Sequence, residues 1–341
     1  MKKSENAAYA KLRQDVAEER LERLYLFYGE ETYLREHYKN RIFEIIGGQG
    51  MAEFNIVSLD GDGLTLDELT DGVESLPVMG EKKLIFVRDL NLSRPPAGVK
   101  EGLPELLGNL PDYVCMVLYF DALEYKPDKR LKTWQAALKA GQAVEFTKAP
   151  QNELIPWIAR RFAAAGRQID KAECEYLTFV CGSLMTNLAS EIEKIAAGAL
   201  GQTVTRQDID SLACRALEAQ IYQLTDCVSS GDSAAAIRVL RDLLAMKFEP
   251  VALAGAIAKQ TQKLYAAKLI QQAGQGQETL MELFHMRSGY PARLLLQAAR
   301  RRSLPWLRRA LILCDQADRE LKSSLPDDGR ILELLLLRMA A

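Results

Sequence analysis

The segment Leu24-Tyr25-Leu26-Phe27-Tyr28-Gly29-Glu30-Glu31-Thr32 reads as strand, tight turn and helix start. In an α/β nucleotide-binding domain that is where the phosphate loop sits. The chemistry needs the pattern GxxxxGK followed by Ser or Thr: amides held open by glycines, a lysine on the phosphates and a hydroxyl on magnesium. Here Gly29 is followed by two carboxylates, and no Gly-Lys dipeptide occurs anywhere in the chain. Glu30 and Glu31 suit a helix N-terminus, whose dipole favours negative charge, but they repel a phosphate seeking the same amides. The expectation for Gly29, Glu30, Glu31 and Thr32 is therefore a degenerate phosphate loop, without bound ATP and without a cofactor.

Other chemistry is thinly supplied. The apolar run Val114 to Phe120 ends in Asp121, which resembles a magnesium-binding strand end but reads better as a turn or cap residue. Two histidines, His37 and His285, leave almost no base for a Ser/His/Asp or Cys/His set. Six scattered cysteines without a CxxC pair do not form a zinc site and read as small buried apolar residues. No metal site and no catalytic residue are expected.

Two local features suggest contacts instead. In Ser75-Leu76-Pro77-Val78-Met79-Gly80-Glu81-Lys82-Lys83, Pro77 and Gly80 hold a loop between a helix and a strand, with Leu76, Val78 and Met79 near its tip. Those side chains either tuck onto the domain's own core or face a partner. The second feature is Arg300-Arg301-Arg302 with Arg308-Arg309, interrupted by Trp306. It is either an ordinary solvated helix face or a contact for DNA phosphates or an acidic neighbouring subunit.

The elements that must position these residues fall into two styles. From Arg23 to Phe146, short apolar runs at 24–28, 55–59, 83–87, 114–120 and 143–146 alternate with helix-like stretches such as 31–46 and 66–75. That alternation predicts an α/β layer with a largely parallel sheet. After Pro150 no strand-like run remains. Helices over 154–165, 171–180 and 187–198 predict a three-helix domain, and longer ones over 209–229, 232–246, 250–273, 291–301, 304–322 and 329–341 predict a larger helical domain. Residues 1–22 read as a polar, exposed helical extension. The division is thus 1–22, 23–149, 150–208 and 209–341.

Composition agrees with a folded chain. Of 341 residues, 48% are hydrophobic and 26% charged, and 44 basic against 46 acidic residues leave a formal charge of -2. Whole-chain attraction to nucleic acid or acidic lipid is excluded, so any such contact is local. The longest apolar stretches fall short of the roughly 20 residues a bilayer span requires. The first 23 residues lack the apolar centre of a secretion signal, so a cytoplasmic protein with no membrane partner is expected.

Taken in order, several stretches resemble the delta subunit of the bacterial DNA polymerase III clamp loader. They are Tyr25 to Leu34, Phe54 with the Asp60-Gly61 turn, Leu76-Pro77-Val78-Met79-Gly80-Glu81-Lys82-Lys83-Leu84, Gly182 with Leu188 and Glu191-Ile192-Glu193-Lys194, Ile221 to Asp226, Gly231-Asp232, Leu240 to Leu244, Glu249-Pro250, Ala317-Asp318, Leu321-Lys322 and Leu332 to Leu336. The resemblance runs from Leu24 nearly to the end of the chain. It implies an AAA+-type N-terminal α/β domain with a degenerate nucleotide site, a three-helix lid and a C-terminal helical collar that joins other clamp-loader subunits. It also implies a subunit that binds the sliding clamp and helps open it for loading onto primed DNA, without hydrolysing ATP. Carried over by position, the family's hydrophobic clamp-binding plug falls on Leu76, Pro77, Val78 and Met79. Relatives commonly place Phe where this chain has Val78 and Met79.

Two other readings compete. An active AAA+ ATPase switch fits the α/β-then-helical order but is opposed by the Glu30-Glu31 turn. A helical nucleic-acid-binding adaptor would draw on Arg300 to Arg309.

Overall fold

The computed structural model describes residues 2–48, 51–286, 288–323 and 328–340. They form two compact units, one running to Lys148 and including Leu184–Thr186, the other comprising Ala149–Ser183 and the chain from Asn187 onward.

In chain order the first unit holds α1 (Lys2–Ala17), β1 (Leu24–Tyr28), α2 (Thr32–Gly47), the single turn α3 (Ala52–Asn55), β2 (Ile56–Asp60), α4 (Leu66–Glu74), β3 (Lys83–Arg88), α5 (Val99–Gly108), β4 (Val114–Tyr119), α6 (Lys132–Ala140) and β5 (Gln142–Glu145). The strands form one parallel sheet in the order β2-β3-β4-β1-β5, with Leu26 facing Leu118 on one side and Ala143 on the other. Helices cover both faces, which is why the strands read as unbroken apolar runs. Period-two alternation divides their side chains. Leu24, Leu26, Ile85, Val87, Met116 and Leu118 pack with α4, α5 and α6, whereas Tyr25, Phe27, Leu84, Phe86, Val117 and Tyr119 pack with α1 and α2.

The connection leaving β1 crosses one face toward β2, and the connection leaving β4 crosses the other face toward β5. Because β1 and β4 are neighbours, their carboxyl ends flank the crevice where doubly wound sheets take ligands. Gly29 to Thr32 and Asp121 stand there.

Helix α1 corrects one expectation. The exposed polar extension instead buries Leu12 and Val16 completely or nearly so, and sets Tyr9 edge-on to Tyr38 and Phe146 at 5.6 and 6.0 Å. Tyr9, Leu12 and Val16 lie three and four residues apart, enough for a narrow apolar stripe on an otherwise charged helix. Asp15, 2% exposed, accepts the Tyr25 hydroxyl at 2.9 Å and pairs with Lys11.

The second unit continues with α7 (Gln151–Ala164), β6 (Gln168–Ile169), α8 (Lys171–Cys181), α9 (Met185–Gly198, whose first two residues belong to the first unit), β7 (Thr203–Val204) and α10 (Arg206–Leu212). Then follow α11 (Leu217–Ser230), α12 (Ser233–Ala245), α13 (Pro250–Gln272), α14 (Gln277–Leu283), α15 (Gly289–Arg300), α16 (Leu304–Lys322) and α17 (Asp328–Ala340). Leu224, Leu240, Ile257, Leu332 and Leu336 centre one helical core, and Leu264, Leu280, Leu295 and Leu307 a second. Three details differ from the sequence reading, the first being α14, a short helix where none was expected between 273 and 291. Strands β6 and β7 pair in parallel over two residues each, and the helix expected over 209–229 breaks at 213–216, where the Ala216 amide donates to the Val180 carbonyl at 2.7 Å. Among the described residues no helix is long and apolar enough to cross a membrane.

Candidate functional site

At the switch point, Gly29 has φ +116°, and a Cβ added there would lie 2.5 Å from the Phe146 carbonyl oxygen. Only glycine fits that turn. Two amides of the turn that could face an anion are already engaged. That of Glu31 donates to the Phe146 carbonyl at 2.9 Å, and that of Thr32 to the Glu30 carbonyl at 3.1 Å. The Glu31 side chain is fully buried and accepts the Met185 amide at the start of α9, at 3.2 and 3.3 Å to its two oxygens. A carboxylate therefore stands at a helix N-terminus, a position where the helix dipole favours negative charge. Burial nevertheless pushes the Glu31 pKa up, opposed by the Met185 and Tyr33 amides. Glu30 turns outward and pairs with Lys148 at 3.4 Å, and the Thr32 hydroxyl meets that of Thr186 at 2.9 Å.

The rest of the crevice is filled by a cation that the sequence reading missed. Arg35, 4% exposed, donates through Nη1 to the Gly29 carbonyl at 2.9 Å and through Nη2 to Asp121 at 3.2 Å, with its guanidinium 5.0 Å from the centre of the Tyr119 ring. Asp121 is thus an ion-pair partner. It is held in place by Asp89, which accepts the amides of Asp121, Ala122 and Leu123 at 2.7, 3.1 and 3.1 Å. Arg35 lies one turn into α2 with nothing in its neighbours to mark it, since its partners come from β1 and the end of β4. Among the described residues, no group of three His, Cys, Asp or Glu could hold a metal ion.

The second expected site lies at the other end of the sheet, between α4 and β3. A capping box between Thr65 and Glu68 starts α4, and the Tyr113 hydroxyl donates to the carbonyls of Val73 and Glu74 near its end. Beyond it, Leu76 is 69% exposed, Val78 40% and Met79 79%, so the loop presents its apolar side chains to solvent. Met79 has φ +54°, rare for an unbranched side chain and unfavourable without glycine. The loop's base is fixed. Asn55, fully buried, donates from Nδ2 to the Val78 carbonyl at 2.8 Å and accepts the Val78 amide on Oδ1 at 2.7 Å. Lys82 donates to the carbonyls of Leu21 and Asp112, and the Lys83 ammonium to the Ser75 hydroxyl.

The arginines divide by role. Arg302 donates from Nε to the Ser229 carbonyl at 2.8 Å and from Nη2 to that of Val228 at 2.9 Å, closing the end of α11, and lies 4.5 Å from the centre of the Trp306 ring. Arg301 pairs with Asp226 at 3.0 Å, and Arg308 donates to the Tyr265 hydroxyl at 3.3 Å. Arg300 and Arg309 are exposed at the end of α15 and on α16. What read as one basic stripe is largely spent on contacts inside the second unit.

Comparison with known proteins gives consistent matches. The family model described as DNA polymerase III, delta subunit matches residues 25–147, and that for the DNA polymerase III delta subunit, C-terminal domain matches residues 218–339. The curated DNA polymerase III subunit delta of Bacillus subtilis (strain 168) is 23% identical over 322 residues, spanning 93% of this chain and 92% of that protein. Among solved structures, the Bacillus subtilis DNA clamp loader delta protein superposes with a TM-score of 0.53 at 22% identity, covering 97% of this chain and 98% of the other. At that identity the structural likeness speaks for the fold.

Proposed function

The chain belongs to the DNA polymerase III delta subunit family and is a clamp-loader subunit, and from that premise we propose that it grips the sliding clamp through Leu76, Pro77, Val78 and Met79. It does so without hydrolysing ATP. The observation that carries this reading is the loop itself: exposed apolar side chains, one on a strained backbone, on a base that Asn55 holds rigid. Apolar side chains held out on a preorganised loop lose little freedom on entering a pocket, which is how small anchors gain affinity.

Helping to open a ring needs no chemistry in this chain. It needs tighter binding to the opened clamp than to the closed one, and the difference is the whole driving force. Glu31 and Arg35 support loss of nucleotide binding, because a carboxylate and a clamped guanidinium occupy the crevice where a phosphate and its lysine would go. In this reading residues 23–149 are the AAA+-like domain, 150–208 the lid and 209–341 the collar that meets other clamp-loader subunits, with primed DNA met inside the complex in the cytoplasm. The arginine-rich adaptor reading loses support because Arg301 and Arg302 are engaged internally.

The test is binding of the full chain to the purified sliding clamp. The double variant Val78→Asp/Met79→Asp should abolish the complex while melting like the parent. Unchanged binding by that variant, or micromolar affinity of the parent for Mg-ATP, would overturn the corresponding half of the proposal.

A further inference from the structure

The plug loop has a neighbour that the sequence did not connect to it. Phe54 is 58% exposed and Met51 50%, both large apolar side chains beside the residue that fixes the loop. The amide of Phe54 donates to the Met51 carbonyl at 3.0 Å, so the two sit three apart on a single turn and share a side of it. The next residue, Asn55, binds Val78 through both backbone groups, which ties that turn to the loop. With Leu76, Val78 and Met79 they make five large apolar side chains exposed on two segments that Asn55 joins, and exposed apolar surface gathered in one place marks an interaction site.

The exposed charges that flank these two segments in sequence carry one sign. Glu53 precedes Phe54, and Glu74 and Glu81 bracket the loop from Leu76 to Met79, all three exposed, while the nearby ammonium groups are engaged elsewhere: Lys82 on the carbonyls of Leu21 and Asp112, Lys83 on Ser75. An apolar centre inside an acidic border matches an apolar pocket with a basic border, since complementary rims steer association and reject wrong partners.

Resting on the clamp-binding reading above, we infer that Phe54 and Met51 are a second anchor for the sliding clamp. They act with Leu76 and Met79 as one two-part apolar surface, framed by Glu53, Glu74 and Glu81 to seat against an apolar, basic-bordered pocket. Asn55 is the positioning residue that holds the two parts in register.

Surface plasmon resonance of the full chain on immobilised clamp, with melting curves as a folding control, separates the outcomes. Phe54→Ala should weaken binding by about tenfold or more at unchanged melting temperature. If Phe54→Ala should fail to fold, Phe54→Gln takes its place. Glu53→Lys/Glu81→Lys should slow association at low salt and match the parent at high salt. Full affinity of the Phe54 variant, with binding lost in Val78→Asp/Met79→Asp, would overturn the second anchor and leave the plug standing. Full affinity of the Val78→Asp/Met79→Asp variant would remove the clamp-binding reading and this inference together. An unchanged association rate in the glutamate variant would remove the acidic frame.

Discussion

Asn55 holds Val78 by both ends of its residue, accepting the amide and donating to the carbonyl across 23 positions of sequence, as a neighbouring strand would. One buried side chain thereby fixes where the loop from Leu76 to Met79 leaves the domain.

Replacing Asn55 by Ala should leave the Val78 amide and carbonyl unpaired beside an emptied pocket. A loss of about 1–3 kcal/mol is expected, read from urea denaturation. Because the loop would then sample other orientations, clamp affinity should fall too, although Asn55 itself points inward. A variant with parental stability and affinity would show that the loop is held by other contacts.

Glu31 gives a pH dependence with a defined sign. Burial raises its pKa above the ordinary 4.5, so the unfolded chain releases this proton at lower pH than the folded one. Its contribution to stability is present below about 4.5 and is lost as pH rises through the folded value. Glu31→Gln removes the titration, so the stability of the variant relative to the parent should climb as pH rises from about 4 toward 8. Urea midpoints across that range check it, and a falling difference would mean that the Met185 and Tyr33 amides outweigh burial.

Gly29→Ala should destabilise by about 3 kcal/mol, combining a positive φ with a Cβ pressed against the Phe146 carbonyl. Gly63, also at positive φ but with open space around its Cβ position, serves as the control and should lose less. Thermal melts of the two variants compare them directly.

Within the arginine run, Arg302→Ala should cost about 1–2 kcal/mol by freeing the last carbonyls of α11, whereas Arg300→Ala and Arg309→Ala should stay within about 0.5 kcal/mol. Equal effects at all three positions would mean that the Arg302 contacts contribute nothing in solution.

What the sequence made legible follows from how locally each feature is encoded. The parallel sheet could be read because five apolar runs with helices between them are a local signal, and the expected strands differ from the observed ones by a residue or so at their ends. The exposed tip at Leu76, Val78 and Met79 could be read from Pro77 and Gly80. Burial of α1 could not, because three apolar residues among many charges form a stripe only once Tyr38 and Phe146 are there to meet it. The break between α10 and α11 has no glycine or proline to announce it and depends on the Val180 carbonyl. Arg35 and Asn55 were missed for one reason: each is an ordinary polar residue on a helix whose meaning comes from groups distant in sequence.

Helix α1 also decides what happens at one margin of the sheet. It lies against β5, the last strand in the order, which among the described residues has a hydrogen-bonded strand neighbour on one side only. Shortening the protein to begin at its first strand would uncover Phe27 and Phe146 next to an open row of peptide groups. Such an edge is a template for pairing with other chains, so a variant lacking α1 is expected to aggregate more readily than the parent.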